Sequence, residues 1–292
     1  LPLPFFRQQS FFPQPKGRTR LQIPTFAGME DNPWLSRTRL LIGNDNTRTL
    51  QNAHVFIAGL GGVGSYAAEA ICRAGVGTMT LMDGDVVDPS NRNRQLPALL
   101  STQAQFKTRV MKQRLLDINP DLVVHALPEF LTPESAETMV VDGKFDYIVD
   151  AIDGITPKCS LIAAAHKHGV PVISSMGAGG KLDPTRIKIA DIADTYNCYL
   201  ASVLRKRLRK MGIKNGVRAV FSDEKVLDDS LMVTDGTNFK KSAYGTISYL
   251  PAAFGLFISS VVVCDLIGWK TKALFPGKPS GFYSSGEDIH RA

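Results

Sequence analysis

The chain predicts an α/β fold of Rossmann-like type, a mostly parallel, doubly wound sheet that ends in C-terminal helices. Three observations carry this. The apolar run Val55-Phe56-Ile57-Ala58 breaks into Gly59-Leu60-Gly61-Gly62-Val63-Gly64-Ser65, a strand that turns at glycines into a helix. Short apolar runs then alternate with amphipathic segments, which is the pattern of βα units feeding a parallel sheet. Gly75 and Gly169 stand where helices should stop. At 292 residues, 44% hydrophobic and 21% charged, the chain can bury the core of one such domain without disulfides or metals.

In chain order the pattern predicts strand 54–58, helix 63–74, strand 78–82, helix 104–117, strand 121–126, helix 133–142, strand 146–150, helix 157–168 and strand 171–174. Beyond residue 185 a strand is expected over Ile187-Lys188-Ile189. The next element is a helix whose Leu200, Leu204, Leu208 and Met211 form one inward face. Ser242 to Cys264 is a 23-residue run without a charged side chain. Its length could span a bilayer. Gly245, Gly255 and several serines interrupt it, and Pro251 suits the first turn of a buried core helix ending near Gly268, so no membrane span is expected.

Residues 1–28 carry Pro2, Pro4, Pro13, Pro15 and Pro24 with Arg7, Lys16, Arg18 and Arg20, and no acid precedes Glu30. This composition is expected to be a disordered or processed extension, with Met29 as a natural start and organellar targeting as one use. Residues 29–292 are expected to form the single domain. Four of the formal +7 charges fall before Met29, leaving +3 for the rest, so global basicity argues little for nucleic acid. Cys72, Cys159, Cys198 and Cys264 are too far apart for a disulfide framework or a C-x-x-C zinc site, which points to a reducing, cytoplasmic setting.

The glycine turn is where a nucleotide's phosphates are expected, because a helix start presents unpaired amides and the positive end of its dipole. Gly59, Gly61 and Gly64 fit the dinucleotide pattern, and Gly62 fits an ATP-using one equally well. Asp83, ending the second strand, suits a ribose hydroxyl in either case. The residues beyond Asp83 favour ATP: Asp85, Asn91 with Arg94 and Gln95, Lys107, and Asp150-Ala151-Ile152-Asp153 at another strand end. Arg94 and Lys107 are two cations suited to a triphosphate, and Asp153 is a hard oxygen ligand suited to Mg2+. A nicotinamide dehydrogenase would leave those three unexplained.

In this order the Gly-x-Gly-Gly-x-Gly turn, Asp83-x-Asp85, Asn91-x-x-Arg94-Gln95, Lys107 and Asp150-x-x-Asp153 resemble the ThiF/MoeB/HesA superfamily, relatives of ubiquitin-activating enzymes that adenylate carboxylates. Ser36-Arg37-Thr38, Ile118-Asn119-Pro120, Pro157-Lys158, Gly177-Ala178-Gly179-Gly180-Lys181 and Val220-Phe221-Ser222 narrow the resemblance to its tRNA-modifying dehydratases. The resemblance implies an N-terminal helix, ATP with Mg2+, and a homodimer in which Arg37 reaches the neighbouring subunit's ATP. It further implies C-terminal elements that face tRNA or the dimer partner, and a sulfur-transfer protein as a further partner. Arg205, Lys206, Arg207, Arg209 and Lys210, five cations in six residues, are the expected RNA-binding helix, and Lys181 a candidate for substrate or RNA. The alternative substrate is the C-terminus of a ubiquitin-like or sulfur-carrier protein, which the missing C-x-x-C pairs disfavour.

Overall fold

The structure, a computed structural model, describes residues 32–233 and 242–269. The extension expected over residues 1–28 lies outside them. A seven-stranded sheet has the order β3-β2-β1-β4-β5-β7-β6, built from β1 His54–Ala58, β2 Thr78–Met82, β3 Val123–Leu127, β4 Tyr147–Asp150, β5 Val172–Ser175, β6 Ile187–Asp191 and β7 Arg218–Ser222. Every pairing is parallel except β6 with β7. The chain order runs outward in one direction from β1 and in the other from β4, so a crevice opens between them at the carboxyl ends of the strands.

Helices α2 (Gly64–Ala74) and α3 (Lys107–Ile118) cover one face, while α4 (Pro133–Gly143) and α5 (Ile155–His168) cover the other. The second of these was expected from residue 104. It starts at Lys107 because Ala104 takes φ +62° and Val86 pairs with Phe106 in an antiparallel bridge. The other predicted strands and helices agree with expectation to within two residues. Strand β7 is an addition: Ala219 to Ser222 are all buried, so the run carries no alternation to announce it.

Helix α1 (Ser36–Asn52) kinks at Gly43, where φ is +82°. Helix α6 (Tyr199–Lys210) packs Ala201, Leu204 and Leu208 against α5 and β7. Met211 departs from the expected inward stripe: it lies past the helix end and is half exposed. Helix α7 (Tyr249–Leu266) is long and apolar enough to cross a membrane by composition, with mean hydropathy 1.8. In the fold it is a core helix. Leu250, Phe254, Ile258, Val261 and Val262 are buried against α2 and the sheet, and a Cβ at Gly255 would lie 2.5 Å from the Val63 carbonyl oxygen. Asp265, near its end, accepts hydrogen bonds from the Tyr147 hydroxyl and Arg218, at the starts of β4 and β7. A small sheet pairs β8 (Leu231–Val233) with β9 (Ser242–Tyr244).

Candidate active site

The four glycines of the turn do different work. Gly59 has φ +90°, and a Cβ there would meet the Ala151 carbonyl oxygen at 2.7 Å. At Gly64 a Cβ would sit 1.9 Å from the Gly59 carbonyl oxygen. These two make the strand–helix turn geometrically feasible. Gly62 lets α7 and the Arg94 segment close over the turn, since its Cβ would meet Pro251 at 3.0 Å and the Arg94 carbonyl at 3.2 Å. Gly61 is the exception. Only Gln95 Nε2, 3.9 Å away, approaches the place of its Cβ. Space for a ligand therefore exists at Gly61, beside the start of α2 and the positive end of its dipole, where the Ser65 and Ala67 amides donate to the Gly61 and Val63 carbonyls. Ser65, the last residue of the motif, is buried and donates to the Gly61 carbonyl at 2.6 Å, so it holds the turn's shape.

Asp83 ends β2 and is nearly buried. Its carboxylate accepts the Leu60 amide at 2.6 Å and the Asp85 amide at 2.8 Å. Burial raises its pKa, opposed by the Lys107 charge and these two amides. It thus ties the glycine turn to the end of β2, and a ribose hydroxyl placed there would meet an already oriented carboxylate. Asp85 and Lys107 are joined to each other, Nζ to Oδ2 at 2.8 Å, with the lysine side chain buried and the aspartate half exposed. Asp85 thus holds the Lys107 charge in place at the start of α3.

Asn91 lies in a short helical turn capped by Asp88 and accepts the Asp88 amide at 3.2 Å. It orders the segment that carries Arg94 across Gly62. Arg94 is half-buried and donates to the Ser90 carbonyl at 3.0 Å and Asn93 Oδ1 at 2.8 Å. Burial lowers its pKa, and the charge of Asp153 opposes that fall. Asn93 reaches the Thr246 carbonyl at 2.9 Å, linking this segment to the chain entering α7. Gln95 is legible in the sequence only as part of the motif. Its Oε1 is buried without a hydrogen-bond partner among the described residues. The Gln95 atom nearest Gly61 is its amide nitrogen, a donor suited to a phosphate oxygen in that space.

The loop after β4 rests on a fully buried ion pair. Lys158 Nζ stands 2.7 Å from Asp150 Oδ2 and also donates to the Ile152 carbonyl at 2.8 Å. Asp150 accepts from the Ser174 hydroxyl at 2.6 Å and the Ile152 amide at 3.2 Å. Burial raises the Asp150 pKa, and Lys158 and Ser174 oppose it. The pair shapes the turn that presents Asp153, which is exposed at the crevice. Among the described residues no group of three or more His, Cys, Asp or Glu is arranged to hold a metal. The exposed Asp153 carboxylate is a hard oxygen donor of the kind that suits Mg2+ when phosphates and water supply the other ligands.

Arg37 is exposed at the start of α1. The neighbouring Leu35 packs on Gly75, where α2 ends. The 11-residue α2 separates that point from the glycine turn at its other end, about 16 Å away. Arg37 is therefore remote from its own chain's turn. Two of the candidates for RNA or substrate are committed internally. Arg205 donates to the Thr195 carbonyl and hydroxyl. Lys181 is buried, donating to the Ser222 carbonyl at 2.5 Å and the Asn197 carbonyl at 3.3 Å, and burial lowers its pKa. Arg207 donates to the Thr156 hydroxyl at 2.8 Å. Lys206, Arg209 and Lys210 are exposed and form no ion pair among the described residues.

A glycine turn at the switch point of a doubly wound sheet, with an arginine, a lysine and strand-end aspartates around it, defines a nucleotide-binding class of protein. The ThiF family model matches residues 35–277, and the chain belongs to that family. It is 44% identical over 239 residues to the tRNA threonylcarbamoyladenosine dehydratase of Bacillus subtilis, covering 80% of this chain and 94% of that one. The crystal structure of Escherichia coli tRNA N6-threonylcarbamoyladenosine dehydratase in complex with ATP is similar with a TM-score of 0.72 and 34% identity, over 80% of this chain and 93% of that one. The sulfur carrier protein ThiS adenylyltransferase of Escherichia coli is 34% identical over 160 residues, 53% of this chain and 63% of that one.

Replacing Gly61 with Ala should leave the thermal midpoint within a degree or two while weakening ATP binding about tenfold or more, about 1.4 kcal/mol. Gly64→Ala should lower the midpoint itself, because backbone must move. Calorimetric melting with ATP titration separates the two. Lys158→Met leaves Asp150 buried without its counter-charge and should cost about 3–5 kcal/mol in urea unfolding.

Proposed function

We propose that this chain catalyses the ATP-dependent dehydration of N6-threonylcarbamoyladenosine in tRNA, through adenylation of the threonyl carboxylate. The observation that carries the reading is the crevice between β1 and β4. There Gly61 is open to a ligand beside the Gln95 amide nitrogen, and Arg94 lies within reach of the Asp153 charge. The similarity to tRNA threonylcarbamoyladenosine dehydratases, one of them solved with ATP, supports the choice of substrate.

In this reading the triphosphate lies on the Gly59–Gly64 turn and the α2 start, the ribose on Asp83, and Arg94 and Lys107 neutralise phosphate oxygens. A carboxylate oxygen attacks the α-phosphorus, the bond to the bridging oxygen breaks, and pyrophosphate leaves with that electron pair. The product is an acyl-adenylate. The carbamoyl unit of the same nucleoside then attacks the activated carbonyl and AMP departs, so the nucleoside loses one water. Arg94 and the α2 dipole act on charge that develops at the phosphorus, and alignment supplies most of the rest. Mg2+, held by Asp153, would add charge neutralisation when bound.

The tRNA would lie on Lys206, Arg209 and Lys210, whose phosphate contacts position rather than read sequence. Arg37, remote from its own turn, would serve the ATP of a second copy in a homodimer. The resemblance also supports a cytoplasmic setting and exchange with a sulfur-transfer protein.

The test is to incubate the protein with MgATP and tRNA carrying the threonylcarbamoyl group, digest the tRNA and weigh the nucleosides. The expected result is loss of one water, dependent on ATP and reduced at least about a hundredfold by Asp153→Asn. An unchanged nucleoside alongside pyrophosphate exchange with a carrier protein would move the substrate to the carrier's C-terminus. Combined replacement of Lys206, Arg209 and Lys210 by Ala should weaken tRNA binding about tenfold or more at moderate salt and flatten its log–log salt dependence by about two, measured by fluorescence anisotropy.

A further inference from the structure

Arg207 belongs to the basic helix α6, yet its guanidinium reaches a different element. One of its terminal nitrogens donates to the Thr156 hydroxyl at 2.8 Å. Thr156 lies in the first turn of α5, three residues after Asp153. That turn begins at Gly154, which has no side chain with which to cap it. The usual means of fixing a helix start, an oxygen from the preceding residue, is therefore missing beside a residue assigned to catalysis. Arg207 supplies an anchor from outside.

A guanidinium carries five N–H donors in a rigid fork. One donor suffices for Thr156. The side chain is exposed, and Arg207 forms no ion pair among the described residues, so its other edge is available to a phosphate. The burial-raised thiol of Cys159, one turn along α5, also feels the Arg207 charge, which places the cation against this end of the helix.

We propose that Arg207 is a positioning residue that couples RNA on α6 to the Asp153 loop, holding a phosphate with one edge of its guanidinium and Thr156 with the other. The coupling rests on tRNA being the substrate of this chain. RNA binding immobilises the guanidinium, the Thr156 hydrogen bond tightens with it, and the first turn of α5 presents Asp153 in its working position. Lysine does this poorly, because an ammonium's three donors radiate from one atom and cannot hold two partners at opposite edges.

The experiment compares wild type, Thr156→Val, Thr156→Ser and Arg207→Lys with threonylcarbamoyl-modified tRNA and MgATP. It measures tRNA affinity by anisotropy, turnover at saturating tRNA by nucleoside mass, and folding by thermal midpoint. Thr156 is exposed, so its replacement should barely move the midpoint. Thr156→Val should bind tRNA as wild type does and turn over about tenfold more slowly, the scale of one hydrogen bond to a charged group. Thr156→Ser should restore the rate, and Arg207→Lys should keep most of the affinity while losing the rate. Wild-type turnover in Thr156→Val overturns the coupling, as does a loss confined to tRNA affinity or a Thr156→Ser as slow as the valine variant. A wild-type protein that converts no tRNA removes the underlying reading, and the coupling with it. If Thr156→Val melts early, the Arg207→Lys result decides.

Discussion

The buried contact between Asp150 and Lys158 is the constraint on which the rest of the site depends. Two full charges removed from water need both their mutual attraction and further hydrogen bonds to be tolerated, and here Ser174 and the Ile152 backbone provide them. Because that geometry is so restrictive, the turn from Asp150 to Asp153 has little freedom. Ala151 in that turn is the wall against which Gly59 must be a glycine, so the phosphate turn after β1 and the aspartate after β4 are shaped by one feature. The ion pair also reaches a third strand end, since Ser174 comes from β5.

How much of this is legible in the sequence depends on how local each residue's role is. Strand and helix order is readable because periodicity and glycine punctuation are local. The Gly-rich turn and Asp83 are readable as a nucleotide site because their spacing encodes a strand–turn–helix. The division of labour among Gly59, Gly61, Gly62 and Gly64 is not, because it depends on Ala151, Arg94 and Pro251, which are distant in sequence. Lys107 and Asp85 read as separate ligands along the chain, and only their juxtaposition shows the ion pair. Lys181 and Arg205 look available because a cation's exposure cannot be read from its identity; both point at backbone carbonyls.

The basic helix illustrates the same limit. Its hydrophobic stripe fixes which face is buried, and by elimination puts five cations on the remaining surface. Side-chain reach then divides them. Arg205 turns back to Thr195, Arg207 extends to α5, and Lys206, Arg209 and Lys210 stay in solvent. A density of charge that reads as one patch is three arrangements with different consequences for a bound polyanion.

The tethering of Asp83 to the Leu60 amide and of Ser65 to the Gly61 carbonyl reaches into the kinetics. Both contacts are made by the chain with itself, so the turn holds its shape with no nucleotide in it, and ordering it adds little entropic cost when a nucleotide arrives. A preformed turn needs no slow ordering step before a nucleotide seats on it, so association is expected in a single fast phase.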